Sequence, residues 1–351
     1  SSWTEVNDMN TGRYEVGSAT AGTQTASLAF GGGTSGPDNY YALCESFNGT
    51  NWTEVNDMNT GTPGRYGLGG AGTNTAALGF GGYFHPPGTR TSATEIWNGT
   101  NWTEVNDLNT GRTGIGGCGA TNTAALAFGG SVPPNKSETE LWNGTNWTEV
   151  NDLNTARRDL GGNGITTSSL AYGGDLPGVS ANTESWNGTN WTDVADLNTA
   201  RRLAGAGTDN TNALGIGGET PGGVSALTES WNGSIWTETT NLNVARQELA
   251  ATGASNSSAL AFGGTLNNPE VAFTEEWNAG INLGAWYTGG NLNTARQGGR
   301  SSGTQTAGLE AAGGSGPPYN AQTELYNGVS WSEVNDLNLA RADGDVTGTQ
   351  T

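Results

Sequence analysis

The chain has 351 residues, 33 acids against 13 bases and a formal net charge of -20. That balance speaks against a nucleic-acid backbone or an anionic membrane surface as partner, because both select for clustered Lys and Arg, and Lys136 is the single lysine here. Hydrophobic residues make up only 33%, which with this charge would point to disorder, yet 13 tryptophans at a strict period and 59 glycines fit many short strands joined by tight turns.

In chain order, the period begins at once. Trp3 is followed by Trp52, Trp102, Trp147, Trp191, Trp236, Trp286 and Trp331, at spacings of 44 to 50 residues. An arginine comes next in phase, at Arg13, Arg65, Arg112, Arg157, Arg201, Arg246, Arg296 and Arg341. A Gly-Gly pair follows seven times, from Gly31-Gly32 to Gly313-Gly314. After a gap of variable length come Glu45, Glu95, Glu140, Glu184, Glu229, Glu275 and Glu324, then an aromatic followed by Asn, from Phe47 to Tyr326. The fourth repeat predicts four strands: Asp159 to Ile165, Ser168 to Tyr172, Thr183 to Trp186, and Trp191 to Val194. Its Asn187-Gly188 supplies the positive φ of a tight hairpin, so Trp186 and Trp191 should flank one. Four strands of about five residues per repeat make a propeller blade. No run of eighteen apolar residues occurs, so no membrane-spanning helix is expected, and Ser1-Ser2-Trp3 does not read as a signal peptide.

Gly-Gly, then Glu, an aromatic, a Trp and an Arg is similar to the kelch repeat. The resemblance covers nearly the whole chain and implies a single all-β domain over 1–351, a seven-bladed β-propeller of four-stranded antiparallel blades with each first strand at the axis. The third-strand aromatic is mostly Trp where kelch repeats usually have Tyr, and the hairpin is unusually short, so no specific kelch partner carries over. Residues 1–25 and 329–351 are redundant copies of one phase at the ring closure. Trp331 is expected to complete the last blade, since Tyr326 stands ready as its hairpin partner; the spare copy then lies outside the ring, or pairs with another chain or with flanking sequence.

Groups present in every blade serve structure better than catalysis, which needs asymmetry. Arg112, Arg157, Arg201, Arg246 and Arg296 are expected to pair with Glu95, Glu140, Glu184, Glu229, Glu275 and Glu324, because a buried charge requires a partner; an anion-binding arginine cluster is the functional alternative. The Asn-Asp-Leu-Asn element at Asn151 to Asn154 offers hard oxygens but lacks EF-hand spacing, and side chains capping their own turn explain it without a metal. Asn98 and Asn101 match the glycosylation acceptor pattern and equally what the hairpin needs. Cys44, standing where other repeats carry Thr, and Cys118 are expected as separate buried thiols, with a disulfide as the alternative.

The 2–3 and 4–1 loops leave one face of such a blade, and only the 2–3 loops differ strongly between repeats. Tyr40, Tyr41, Tyr83, Phe84, His85, Arg90, Lys136 and Tyr319 are the ligand-binding candidates there, although loops that merely drift would look the same. Galactose oxidase, a relative of the kelch fold, holds copper with paired histidines, and His85 is the only histidine here. One histidine also excludes a multi-histidine zinc site and leaves little for a nucleophilic triad. No enzyme, cofactor or metal is therefore expected. The expectation is a binding module, extracellular or on a virion surface as in a phage tail or adhesin, recognising a glycan or protein receptor. The alternative is a structural block that joins neighbouring subunits through its redundant terminal strands.

Overall fold

The computed structural model describes residues 1–34, 40–60, 64–84, 88–279, 292–294, 300–304, 307–311, 321–327 and 330–340. The chain divides into two compact units, Ser1–Ile281 and Asn282–Thr351. All regular structure among the described residues is β, and seven four-stranded antiparallel sheets carry it.

Sheet I is Gly17–Ser18, Ser27–Phe30, Cys44–Phe47 and Trp52–Val55; sheet II is Gly69–Thr73, Ala76–Phe80, Thr94–Trp97 and Trp102–Val105. Sheet III is Gly116–Thr121, Ala124–Phe128, Thr139–Trp142 and Trp147–Val150, and sheet IV is Gly161–Ile165, Ser168–Tyr172, Thr183–Trp186 and Trp191–Asp193. Sheet V is Arg202–Asp209, Asn212–Thr220, Gly223–Trp231 and Trp236–Glu238. Sheet VI takes its first three strands from Ala250–Ser255, Ser258–Phe262 and Thr274–Asn278, and its fourth from the N-terminus, Ser2–Val6. Sheet VII, in the second unit, is Arg300–Thr304, Ala307–Ala311, Thr323–Tyr326 and Trp331–Val334.

The hairpin between third and fourth strands shows why the sequence repeats so closely. Trp97 faces Trp102 across Asn98-Gly99-Thr100-Asn101, with Gly99 at φ 92°. The Asn98 Oδ1 accepts the N–H groups of Thr100 and Asn101 at 2.9 and 2.8 Å, so the asparagine closes its own turn. First strands are glycine-rich because they lie against each other: a methyl on Gly117 would sit 2.7 Å from the Gly70 carbonyl oxygen of the neighbouring sheet.

The core lies in the seams between sheets. In sheets II to V the outer tryptophan packs edge-on or tilted against a second-strand aromatic of the sheet before it: Trp102 on Phe30, Trp147 on Phe80, Trp191 on Phe128, Trp236 on Tyr172, at centroid distances of 4.8 to 5.1 Å. Three of these indole N–H groups also cross the seam to the residue that starts the preceding third strand. Trp147 donates to Thr94 at 3.1 Å, Trp191 to Thr139 at 3.0 Å and Trp236 to Thr183 at 3.1 Å. Trp3 of sheet VI donates to Thr228 of sheet V at 3.2 Å, and Trp52 of sheet I to Thr274 of sheet VI at 3.1 Å. Cys44 holds the threonine position in the remaining seam, so Trp102 faces a thiol, and both cysteines are free and buried.

These contacts lead from sheet I through sheet VI and back to sheet I, a circle of six. Trp331 does complete sheet VII, opposite Tyr326, but Trp3 completes sheet VI, opposite Trp277 with ring centroids 5.3 Å apart. The reason lies in the chain: Trp97 and Trp102 are five positions apart, as in five other repeats, whereas Trp277 and Trp286 are nine apart and Ala279 replaces the turn glycine. The sixth repeat is thus spaced too widely for the short hairpin of the others, and residues 2–6 carry the repeat's consensus for the fourth strand. Trp286 lies outside the described residues.

Candidate functional site

The repeated arginines and glutamates meet one another in the interior. Arg13 pairs with Glu45 at 2.7 Å, Arg65 with Glu95 at 3.1 Å and Arg112 with Glu140 at 2.8 Å; Arg157 pairs with Glu184, Arg201 with Glu229 and Arg246 with Glu275. All six guanidinium side chains are fully buried. Arg13 also donates to the Leu43 carbonyl, and Arg65 to those of Gly81 and Ala93, so the charge is hydrogen-bonded as well as paired. Burial pulls the Arg65 guanidinium down to about 10, against the pull of Glu95. The Asn-Asp-Leu-Asn element finishes the job. Asn154 donates its backbone N–H to Glu184 at 2.6 Å, Asp152 accepts the Thr139 N–H at 3.1 Å, Leu153 is in the core, and Asn151 bonds Asn190 of the next sheet at 2.7 Å. Its oxygens and amides thus bind protein groups. Glu324 accepts the Asn293 N–H at 2.7 Å, and Arg296 lies outside the described residues.

Asymmetry begins two residues beyond each arginine. Glu15, Gly67, Gly114, Asp159 and Glu248 hold equivalent places before a first strand, and all have positive φ between 48 and 63°. Glycine adopts that conformation freely, whereas the three acids hold it at a cost. Their backbones form a collar: Asp159 donates to Gly114 at 2.9 Å, Gly114 to Gly67 at 2.8 Å, Gly67 to Glu15 at 3.1 Å and Glu15 to Glu248 at 2.9 Å. Sheet V has no counterpart, since Arg202 leads straight to Leu203. Arg202 reaches Asp175 at 3.2 Å and Glu219 at 3.1 Å instead.

Beneath the collar is an axial cavity of about 170 Å³, with Glu15, Asp159, Glu248 and Arg202 in its wall. Burial, then the charges of Asp159 and Glu248, pushes the Glu15 carboxyl well above the usual carboxylate range. Burial likewise raises Asp159 and Glu248. Among the described residues no group of three or more potential ligands is placed to hold a metal ion.

Beside the collar stand four half-buried tyrosines. Tyr40 stacks on Tyr66 at 4.5 Å with 15° between the planes, and Tyr14 and Tyr83 meet Tyr66 edge-on at 6.3 and 5.4 Å. Arg90 lies over the Tyr83 ring, 5.6 Å from its centroid. Backbone bonds hold the two kinds of loop together: Tyr14 exchanges bonds with Gly33, and Tyr66 pairs with Tyr83 in a small three-stranded sheet. Burial, then Tyr40 and Glu15, pushes the Tyr14 hydroxyl up to about 12.

Of the eight loop candidates, the structure brings Tyr40, Tyr83 and Arg90 together and puts Phe84 next to them, paired with Arg65 and Thr89. Tyr41 gives its N–H to Gly32, and Lys136 pairs with Glu138 at 3.0 Å beside sheet III. His85 and Tyr319 lie outside the described residues. Sequence reasoning missed Tyr14, Tyr66 and the three acids. They sit in the 4–1 turn directly after the repeated arginine, where Tyr, Thr, Arg and Gln alternate, and that variation is the signal that could have found them.

The arrangement is that of a propeller-like all-β protein with a rigid repeated frame and one irregular face. No protein-family model matches the chain, and no curated protein matches it at a significant level.

Proposed function

We propose that Ser1–Ile281 is a kelch-like propeller of six blades, closed by its N-terminal strand, and that it acts as a non-catalytic binding module. The ligand is a glycan or a protein receptor, met on the face of the 2–3 and 4–1 loops, and the setting is extracellular or on a virion surface. The observation that carries this reading is the tyrosine group of Tyr14, Tyr40, Tyr66 and Tyr83 with Arg90, set at the rim of an acid-lined axial cavity. Tyrosine offers a rigid apolar face and a hydroxyl together, which suits the mixed apolar and hydroxylated surface of a sugar. The symmetric residues support it from the other side, since among the described residues the six repeated arginines are paired with glutamates inside the frame.

The test is a glycan array followed by titration of any hit. Tyr66→Ala is expected to weaken binding about tenfold, the scale of a central aromatic contact, while Lys136→Ala leaves it unchanged. A ligand that binds equally well to Tyr66→Ala would remove the proposed site.

A further inference from the structure

Arg90 differs from the other bases of the first unit. Every other arginine and lysine described in Ser1–Ile281 has a carboxylate oxygen within 3.2 Å. The Arg90 guanidinium lies over the Tyr83 ring, and among the described residues it has neither an ion pair nor a hydrogen bond.

Its setting is regular. Arg90, Tyr83 and Tyr66 are direct cross-strand neighbours in the small sheet of Thr89–Arg90, Tyr83–Phe84 and Arg65–Tyr66, so they stand side by side on one face. Tyr66 meets Tyr83 at 5.4 Å and stacks on Tyr40 at 4.5 Å, which extends the row into an aromatic platform with a cation at one end. Arg90 is half-buried and its Nε is enclosed without a partner. The charge has thus lost part of its hydration to the platform and gained no countercharge from the protein. A guanidinium stacked on an aromatic ring still presents its planar fork to the oxygens of a carboxylate or sulfate.

The rest of the face is arranged against an anion. Glu15, Asp159 and Glu248 line the axial cavity, and Arg158 and Arg202 both bind Asp175. A negative group is repelled from the axis and favoured at the Arg90 end of the platform.

We propose that the ligand of this face is an acidic saccharide, with a sugar ring on the Tyr66–Tyr83 platform and its carboxylate or sulfate on the Arg90 guanidinium. This rests on reading the tyrosine face as a glycan site, and adds the charge of the ligand and the direction in which it lies. The anion sits over Arg90 and the hydroxylated remainder runs toward the collar. The tyrosines supply affinity, and Arg90 selects for charge.

The test is a glycan array that carries each acidic saccharide beside its neutral counterpart, followed by titration of the pairs that bind. Uronates stand beside their methyl esters, sialylated beside unsialylated chains, and sulfated beside unsulfated ones. Wild type is expected to prefer the acidic member about tenfold, the scale of one charge-assisted contact, and the pairs that show the preference tell carboxylate from sulfate. Arg90→Gln is expected to bring the two members level, whereas Tyr66→Ala weakens both alike. Arg90→Lys keeps the charge without the fork and is expected to fall between wild type and Arg90→Gln; it serves in place of Arg90→Gln if thermal melts show that variant to be unfolded. A wild type that binds acidic and neutral members equally overturns the proposal and leaves the glycan reading standing, as does an Arg90→Gln that keeps the full preference. A wild type that binds no saccharide, or binds acidic peptides in their place, overturns the glycan reading and this proposal with it.

Discussion

Arg157 illustrates what the repeated charges contribute. Its guanidinium is fully buried against Glu184, and replacing it by alanine leaves that carboxylate buried without its countercharge. Arg157→Ala is expected to destabilise by about 3–5 kcal/mol, the range for breaking one side of a buried pair, visible as a lower midpoint in thermal or urea unfolding. An unchanged midpoint would remove the structural role. Glu15 works in the opposite sense. Its carboxyl is raised by burial and by neighbouring acids, so the folded state holds its proton more tightly than the unfolded chain does. Its contribution favours the fold below the ordinary carboxylate range and is lost as pH rises from there through the raised value. Asp159 and Glu248 are shifted in the same direction and add to the loss. Glu15→Gln is therefore expected to flatten the fall in melting temperature as pH rises above the ordinary carboxylate range. A fall as steep as that of wild type would mean that Glu15 is not what titrates there.

At the scale of elements, the strand Ser2–Val6 decides how the first unit closes. It covers the edge of Thr274–Asn278, buries Trp3 to 5% exposure and supplies the seam bond to Thr228. Trp3→Ala is expected to lower stability by about 3–5 kcal/mol, as for a large aromatic removed from a core, and to increase aggregation through the loosened edge strand. Trp331→Ala, in the equivalent position of sheet VII, should leave the main melting transition of the first unit in place. If the two substitutions lower that transition equally, the assignment of Trp3 to the closing strand fails. The hairpins themselves were legible beforehand: Trp186 and Trp191 flank the Asn187-Gly188 turn, and the strands begin and end within a residue or two of where alternation and glycines put them. The glutamate and arginine phases were legible too, because a charge repeated at a fixed place in a seam-forming strand needs a fixed partner.

At the scale of the whole molecule, the loop face with its tyrosines differs from the repeated frame. Half of it was readable, since loop variation marked Tyr40, Tyr83 and Arg90. Tyr14 and Tyr66 were not, because a turn one residue from a repeated arginine looks like part of the frame until its backbone is seen to adjoin the 2–3 loop. The sequence by itself determined what is local: four strands per repeat, the turns between them, the arginine–glutamate partnership and the phase in which aromatics fall. These depend on neighbours within about fifty residues, and each repeat states them afresh. Tertiary structure alone decided that Ser2–Val6 pairs with Thr274–Asn278, that Trp3 bonds Thr228, and that Glu15, Asp159 and Glu248 share one cavity wall. Such outcomes join residues more than two hundred positions apart. The edge of Thr274–Asn278 is taken by a strand from the other end of the first unit, a pairing that no single repeat states because it depends on where the folded backbone brings the two ends.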